Sequence, residues 1–191
     1  MATLAINRKL FTVDEYHRMA DAGILPADRR FELVRGEIIE MTIPKSPHSS
    51  SVNRLTYLFV TRFGSAAVVS PQNPLPIDLH SEPVPDLVLL EPKADFYRAS
   101  HPTPADVLLV IEVSDTTLTY DTRVKASMYA EAGVPEYWIL DVNRERLVVH
   151  ADPVGREYRS RRLLGRDDSV QLVKVPAAEF SVTDILGPKF T

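Results

Sequence analysis

Two acidic residues stand where apolar neighbours should exclude them. Asp86 opens the run Asp86-Leu87-Val88-Leu89-Leu90, and Glu112 lies near the end of Val107-Leu108-Leu109-Val110-Ile111-Glu112-Val113. A carboxylate among branched aliphatic side chains carries a large desolvation cost unless something offsets it. One bound cation would offset both. Two carboxylates and a main-chain carbonyl, here that of Val113, form a hard oxygen set suited to Mg²⁺ or Mn²⁺. Beside a phosphodiester, such an ion stabilises charge on the phosphate and activates water. Lys125 would stabilise the developing negative charge, or orient or deprotonate the attacking water. Each residue also has a plainer reading. Asp86 follows Pro85 as a strand-entry turn residue, Glu112 fits a buried ion pair, including one with Lys125, and Lys125 fits a surface pair with Asp121.

Further candidates surround this set. Glu32 is either a third acidic ligand or water-positioning group, or a solvent-facing hairpin position. His48 is placed for a phosphate or a metal-bound water, with capping or packing as the commoner role of a lone histidine. Ser114 and Tyr129 are candidates for contacts around the substrate or the ligands; Tyr129, one turn beyond Lys125, fits core packing better.

The elements that must position these residues follow from patterning. Both apolar runs have the length and branching of buried strands. Tyr120 to Ala132 reads as a helix that Gly133 closes and Pro135 prevents from continuing. Glu136 to Asp141 is a further strand. In such a unit, chemistry gathers at the sheet edge where the helix begins, within reach of Lys125. Upstream, Thr12-Val13-Asp14-Glu15 has the form of a capping box and predicts a helix from about Val13 to Ala22. Phe31 to Thr42 predicts a hairpin turning at Arg35-Gly36. Ser46 to Ser49 reads as a loop capping a second helix, about Ser50 to Phe63, with an apolar stripe at Val52, Leu55, Phe59 and Phe63. Ala66 to Ser70 and Leu75 to Leu79 read as a strand or strand pair. The proline-bearing segment Glu91 to Asp106 is expected to overhang the site. Arg146 to His150 and Glu157 to Leu164 predict a further hairpin, Val170 to Val175 a strand, and a short helix or turn follows Ser181. Tyr137 and Trp138 fit the core or a dimer interface. The arginines from Arg156 to Arg166 read as a solvated strand face or a phosphate-contacting patch.

Pro85-Asp86, Glu112-Val113-Ser114 and Lys125 resemble the PD-(D/E)XK nuclease superfamily, and most closely its restriction endonuclease-like branch, long catalogued in bacteria as a domain of unknown function. Phe31 to Ile38, Ser46-Pro47-His48 and Ala132 to Trp138 carry the same resemblance, which spans roughly Thr12 to Leu186. The superfamily places a lysine two positions after the acidic residue, and Ser114 stands there in this chain. In this branch the lysine lies on the following helix, which implies Lys125. The resemblance implies an α/β fold with a restriction-endonuclease-like mixed central sheet flanked by helices, a helix-hairpin before it and a β extension after it. It implies a metal-dependent endonuclease acting on DNA, with Mg²⁺ or Mn²⁺ held by Asp86, Glu112 and Val113. A homodimer is expected as well, and its paired subunits could cut both strands of a duplex, as symmetry allows.

Composition sets the outer bounds. The chain has 191 residues, 45% hydrophobic and 25% charged, as expected of one globular domain with a core at about 31–150 and a β extension at 155–186. It has no cysteine, which excludes disulfides and zinc-thiolate sites and fits a reducing cytoplasm. No run is long and apolar enough for a bilayer span, and the first residues have too short an apolar run for a signal peptide. The net charge of −4 argues against a nonspecific nucleic-acid coat but not against a nuclease with an acidic site. A glycine-rich phosphate loop, a nucleophilic-serine motif and a helix-turn-helix are all missing. The alternative to the enzyme is a non-catalytic nucleic-acid- or protein-binding module on the same fold.

Overall fold

The structure, a computed structural model, describes residues 8–189. A capping box starts α1 (Val13–Asp21): Glu15 N–H donates to the Thr12 hydroxyl, and Thr12 N–H donates to the Glu15 carboxylate. The hairpin follows as β1 (Arg30–Val34) and β2 (Glu37–Met41). Both turn residues, Arg35 and Gly36, have positive φ, the requirement of a two-residue turn that matches strand twist. At Gly36 an added Cβ would sit 2.6 Å from Leu10 Cβ, so packing as well as dihedral demands glycine.

The next helix, α2, runs Ser46–Phe63. It begins earlier than patterning suggests, and Ser46 to Ser49 are its first turn rather than a capping loop. Pro47 is the reason for the difference: proline marks a loop in sequence, yet a first helical turn tolerates it because its missing N–H has no intrahelical partner there. The predicted stripe Val52, Leu55, Phe59 and Phe63 is buried. Of the two predicted strands that follow, only β3 (Val68–Ser70) forms; Leu75 to Leu79 joins the fold through loop hydrogen bonds and an isolated Asp78–Ser81 bridge, because prolines at 71 and 74 break the ladder.

The central sheet is completed by β4 (Leu87–Leu90), β5 (Val107–Ser114), β6 (Glu136–Asp141), β7 (Arg146–Val154) and β8 (Glu157–Leu164), in the order β3-β4-β5-β6-β7-β8. Only β5 and β6 pair in parallel; the other neighbours are antiparallel. The crossover between β5 and β6 is the helical stretch α3 (118–131). It is α-helical at Leu118–Tyr120, makes one π turn at Asp121–Lys125, and returns to α over Ala126–Glu131. A small hairpin, β9 (Ser169–Gln171) with β10 (Glu179–Ser181), precedes α4 (Val182–Leu186).

The sheet separates two apolar clusters. On one face α2, β10 and α4 bring Phe59, Phe180 and Ile185 against Leu109, Ile111 and Trp138. On the other, α3 and the N-terminal hairpin bring Tyr129, Met128 and Val34 against Val110, Ile139 and Tyr137. Strand alternation places Glu112 between Ile111 and Val113, hence on the α3 face. Tyr137 and Trp138 are both fully buried, which removes them as a dimer surface. The arginines from Arg156 to Arg166 are scattered: Arg156, before β8, pairs with Glu131 and Arg166, after it, with Glu145, while Arg159, Arg161 and Arg162 are exposed along the strand.

Candidate active site

Residue pairing explains why the two strand carboxylates meet. Leu87 lies opposite Ile111 in the antiparallel β4–β5 ladder. One step further along each strand, Asp86 comes opposite Glu112, and directly opposed residues project to the same side. Both line one cavity of about 330 Å³ at the end of the sheet. Its floor is the β4 and β5 ends, one wall is the first turn of α2 with His48, another is α3 with Tyr120, Asp121 and Lys125, and its roof is the segment 39–45.

Asp86 is held from several directions. Its Oδ2 accepts from Val113 N–H at 2.9 Å and contacts His48 Nε2 at 3.1 Å, while its Oδ1 accepts from the Gln72 side chain at 3.2 Å. Gln72 N–H also donates to the Asp86 carbonyl. Burial would raise the Asp86 pKa, but the His48 hydrogen bond and charge, with Val113 and Gln72, outweigh it and hold the carboxyl below its ordinary value. The same bond raises His48 above that of a free imidazole. Gln72 has φ +51°, a costly conformation for a residue with a side chain.

Glu112 sits differently. Its Oε1 accepts from Lys125 Nζ at 2.9 Å and from the Tyr129 hydroxyl at 3.2 Å. Lys125 Nζ also lies 3.0 Å from Glu32 Oε2. All three are buried. Burial drives the Glu112 pKa well above its ordinary value; Lys125 opposes that, and Asp86, Asp121 and Glu32 reinforce it. For Lys125, burial would lower the pKa, but Glu112, Glu32 and Asp121 prevail and keep the ammonium charged. The 2.9 Å contact makes Glu112 and Lys125 the buried pair that the sequence allowed, whereas no surface pair joins Lys125 to Asp121. Glu32 is buried rather than solvent-facing; it faces Lys125 and accepts from Val84 N–H.

Ser114 is buried, with its hydroxyl near the Asp121 carboxyl, and does not line the cavity. Tyr129 also stays out of the cavity and acts through its bond to Glu112. The segment 91–106 contributes nothing to the lining: β4 enters at Asp86 and leaves at Leu90, so the excursion starts from the opposite end of the sheet. The roof is instead 39–45. Patterning also missed Gln72, Tyr120 and Asp121. The Asp121 carboxyl accepts from the Thr117 hydroxyl, and burial raises its pKa. The Tyr120 hydroxyl is buried with no partner among the described residues, as is Nδ1 of His48.

The residues present fit a divalent cation. Glu32, Glu40, Asp86, Glu112, Asp115 and Asp121 line the cavity against Arg30, Lys45 and Lys125, a surplus of negative charge in a recessed site. No group of three or more His, Asp or Glu side chains converges to hold a metal among the described residues. The candidate set is thus Asp86, Glu112 and the Val113 carbonyl, a sparse set of the kind Mg²⁺ takes when water and phosphate oxygens complete its octahedron.

A family model, Uma2, described as "Putative restriction endonuclease", matches residues 13–183. A solved structure from Anabaena variabilis, described as a "putative nuclease belonging to DUF820", superposes with a TM-score of 0.67. The match covers 92% of this chain and 97% of that one at 16% identity, a likeness of fold. No curated protein matches the sequence. No helix among the described residues is long and apolar enough to cross a membrane.

Proposed function

This chain belongs to the Uma2 family of restriction endonuclease-like proteins, and from that membership we propose that it is a metal-dependent endonuclease hydrolysing phosphodiester bonds in DNA. One observation carries the reading: Asp86 and Glu112, from separate strands, open into one cavity with the Lys125 ammonium beside them. Asp86, Glu112 and the Val113 carbonyl would hold Mg²⁺ or Mn²⁺. Such an ion supplies positive charge to the phosphate oxygens and lowers the pKa of a bound water. The protein's own groups do the rest. Val113 N–H, Gln72 and His48 keep Asp86 ionised and oriented. Glu32 and Glu112 keep Lys125 protonated, ready to stabilise charge developing on the phosphate. Tyr120 offers a donor without a partner, suited to a phosphate oxygen.

The Asp86→Asn protein should fold with an unchanged spectrum yet lose Mg²⁺-dependent cleavage, assayed on both plasmid and single-stranded DNA, by about a hundredfold or more. Wild-type turnover from that variant would overturn the assignment. The internally paired Lys125 favours a second reading, a binding module in which the carboxylates serve only the fold. Mn²⁺ separates the two. An ion bound to the folded state at a hundred times its Kd adds about 2.7 kcal/mol to stability, so a melting temperature that Mn²⁺ leaves unmoved would select the binding module.

A further inference from the structure

The carboxylates of the site are recessed. Asp86 and Glu112 have side chains 8% and 6% exposed, and they line the cavity that 39–45 roofs. That roof is mixed: Ile39, Met41, Ile43 and Pro44 give it aliphatic surface, and Glu40, Thr42 and Lys45 line the cavity between and beside them. Ile43 is 91% exposed at the mouth, although nothing in the hairpin requires an apolar residue there. Arg30 and Lys45, both exposed, flank it. An isolated exposed aliphatic residue means little, but one that continues aliphatic surface into a polar cavity marks a ligand surface.

The volume narrows the ligand. At about 330 Å³ the cavity lies near the lower limit of small-ligand pockets, room for a group the size of one nucleotide and not for the flank of a duplex. A phosphate within a stacked, paired helix is part of a rigid rod. It cannot be lowered onto buried carboxylates while its sugar and base remain in the stack. A strand without a partner can bend in, with its phosphates between the rim cations and its base against the aliphatic surface of the roof. Apolar surface beside a cationic track is how proteins hold single strands without reading sequence, and enzymes with recessed sites obtain unpaired nucleotides in the same way.

We propose that this site takes unpaired DNA, a single strand or a locally extruded nucleotide, with the base resting on Ile43 and Met41 and the adjoining phosphates on Lys45 and Arg30. The inference rests on the nuclease reading and names its substrate. Extended wall, recessed carboxylates and rim cations form one continuous path, and the roof is the element that discriminates.

The test is equilibrium binding of a fluorescently labelled oligonucleotide, its perfect duplex, and the same duplex carrying an unpaired bulge. Ca²⁺ replaces Mg²⁺, supplying a hard divalent ion for the oxygen ligands. The single strand and the bulged duplex should bind roughly tenfold or more tightly than the perfect duplex. Ile43→Ala, at a position too exposed to matter for folding, should weaken single-strand binding about fivefold and leave duplex binding unchanged. Duplex binding as tight as single-strand binding overturns the inference, as does an Ile43→Ala loss equal for both forms. Either result leaves the nuclease reading standing if Mg²⁺-dependent cleavage persists. Failure to bind any of the three, with a melting temperature that Mn²⁺ does not move, overturns both.

Discussion

Among single residues, Tyr120 separates what the fold needs from what the site needs. Its hydroxyl is buried without a partner, and burial with the nearby Glu32 charge raises its pKa, so it stays a donor. Removing an unsatisfied buried polar group stabilises a protein by about 1–3 kcal/mol. Tyr120→Phe should therefore unfold at higher denaturant concentration while cleaving about tenfold more slowly; a variant less stable than wild type would mean that the hydroxyl is partnered. Asp86 and Glu112 were legible in sequence because charge inside an apolar run is costly and therefore conspicuous; Lys125 was reached from its place near the start of the following helix and from the family resemblance. Gln72, Tyr120 and Asp121 were not, since a glutamine in a proline-rich loop and a Tyr-Asp pair in a helical pattern break no rule of composition. Glu32 stood open between two faces of a hairpin, and only packing against Lys125 decides between them.

Secondary elements show the same division. β4, β5 and β6 follow from their branched runs, and α1 from its capping box. The π turn at Asp121–Lys125 has no signature, because hydrophobic spacing across it still looks α-helical. In it Ala126 N–H donates to the Asp121 carbonyl, five residues back, which adds one residue to a turn. Such bulges concentrate at functional sites. Here it lets Lys125 point at Glu112 while Tyr120 and Asp121 also face the cavity. Deleting Arg123 should restore a regular helix and leave Lys125 to Glu131 packed, but rotate the preceding turn by about 100°. The expected result is a folded protein with cleavage reduced by about tenfold or more; full activity would show the bulge to be incidental. The direction in which β4 is entered is likewise invisible to patterning, which is why 91–106 was expected over the site and 39–45 was not.

For the whole molecule, the buried core should behave as one folding unit. Trp138 is the sole tryptophan, and its ring packs edge-on against Phe59 of α2 and Phe180 of β10. Glu136 accepts from Trp138 Nε1 and from Val173 N–H, which ties the C-terminal β extension to the central sheet. Tryptophan emission and far-ultraviolet circular dichroism should therefore report coincident urea transitions; separated midpoints would show that the extension unfolds alone. Acid should weaken the cluster on the opposite face of the sheet through His150, which packs on Tyr137 and Tyr158. Burial, with Arg161 beside it, lowers the His150 pKa to about 4, below the ordinary 6.5. The unfolded chain then takes up this proton first as pH falls, so stability declines from about pH 6.5 to about pH 4. His150→Phe keeps the contacts with Tyr137 and Tyr158 and should show a shallower decline across that window. An identical pH profile would exonerate the imidazole.

The segment 91–106 leaves the sheet at the end remote from Asp86, and most of its side chains face solvent. It is therefore a natural place to graft a fluorophore, an affinity handle or a tether to a surface. A label attached there would leave the end of the sheet that carries the cavity open, and lengthening the connection would cost little because closure entropy grows only slowly with loop length.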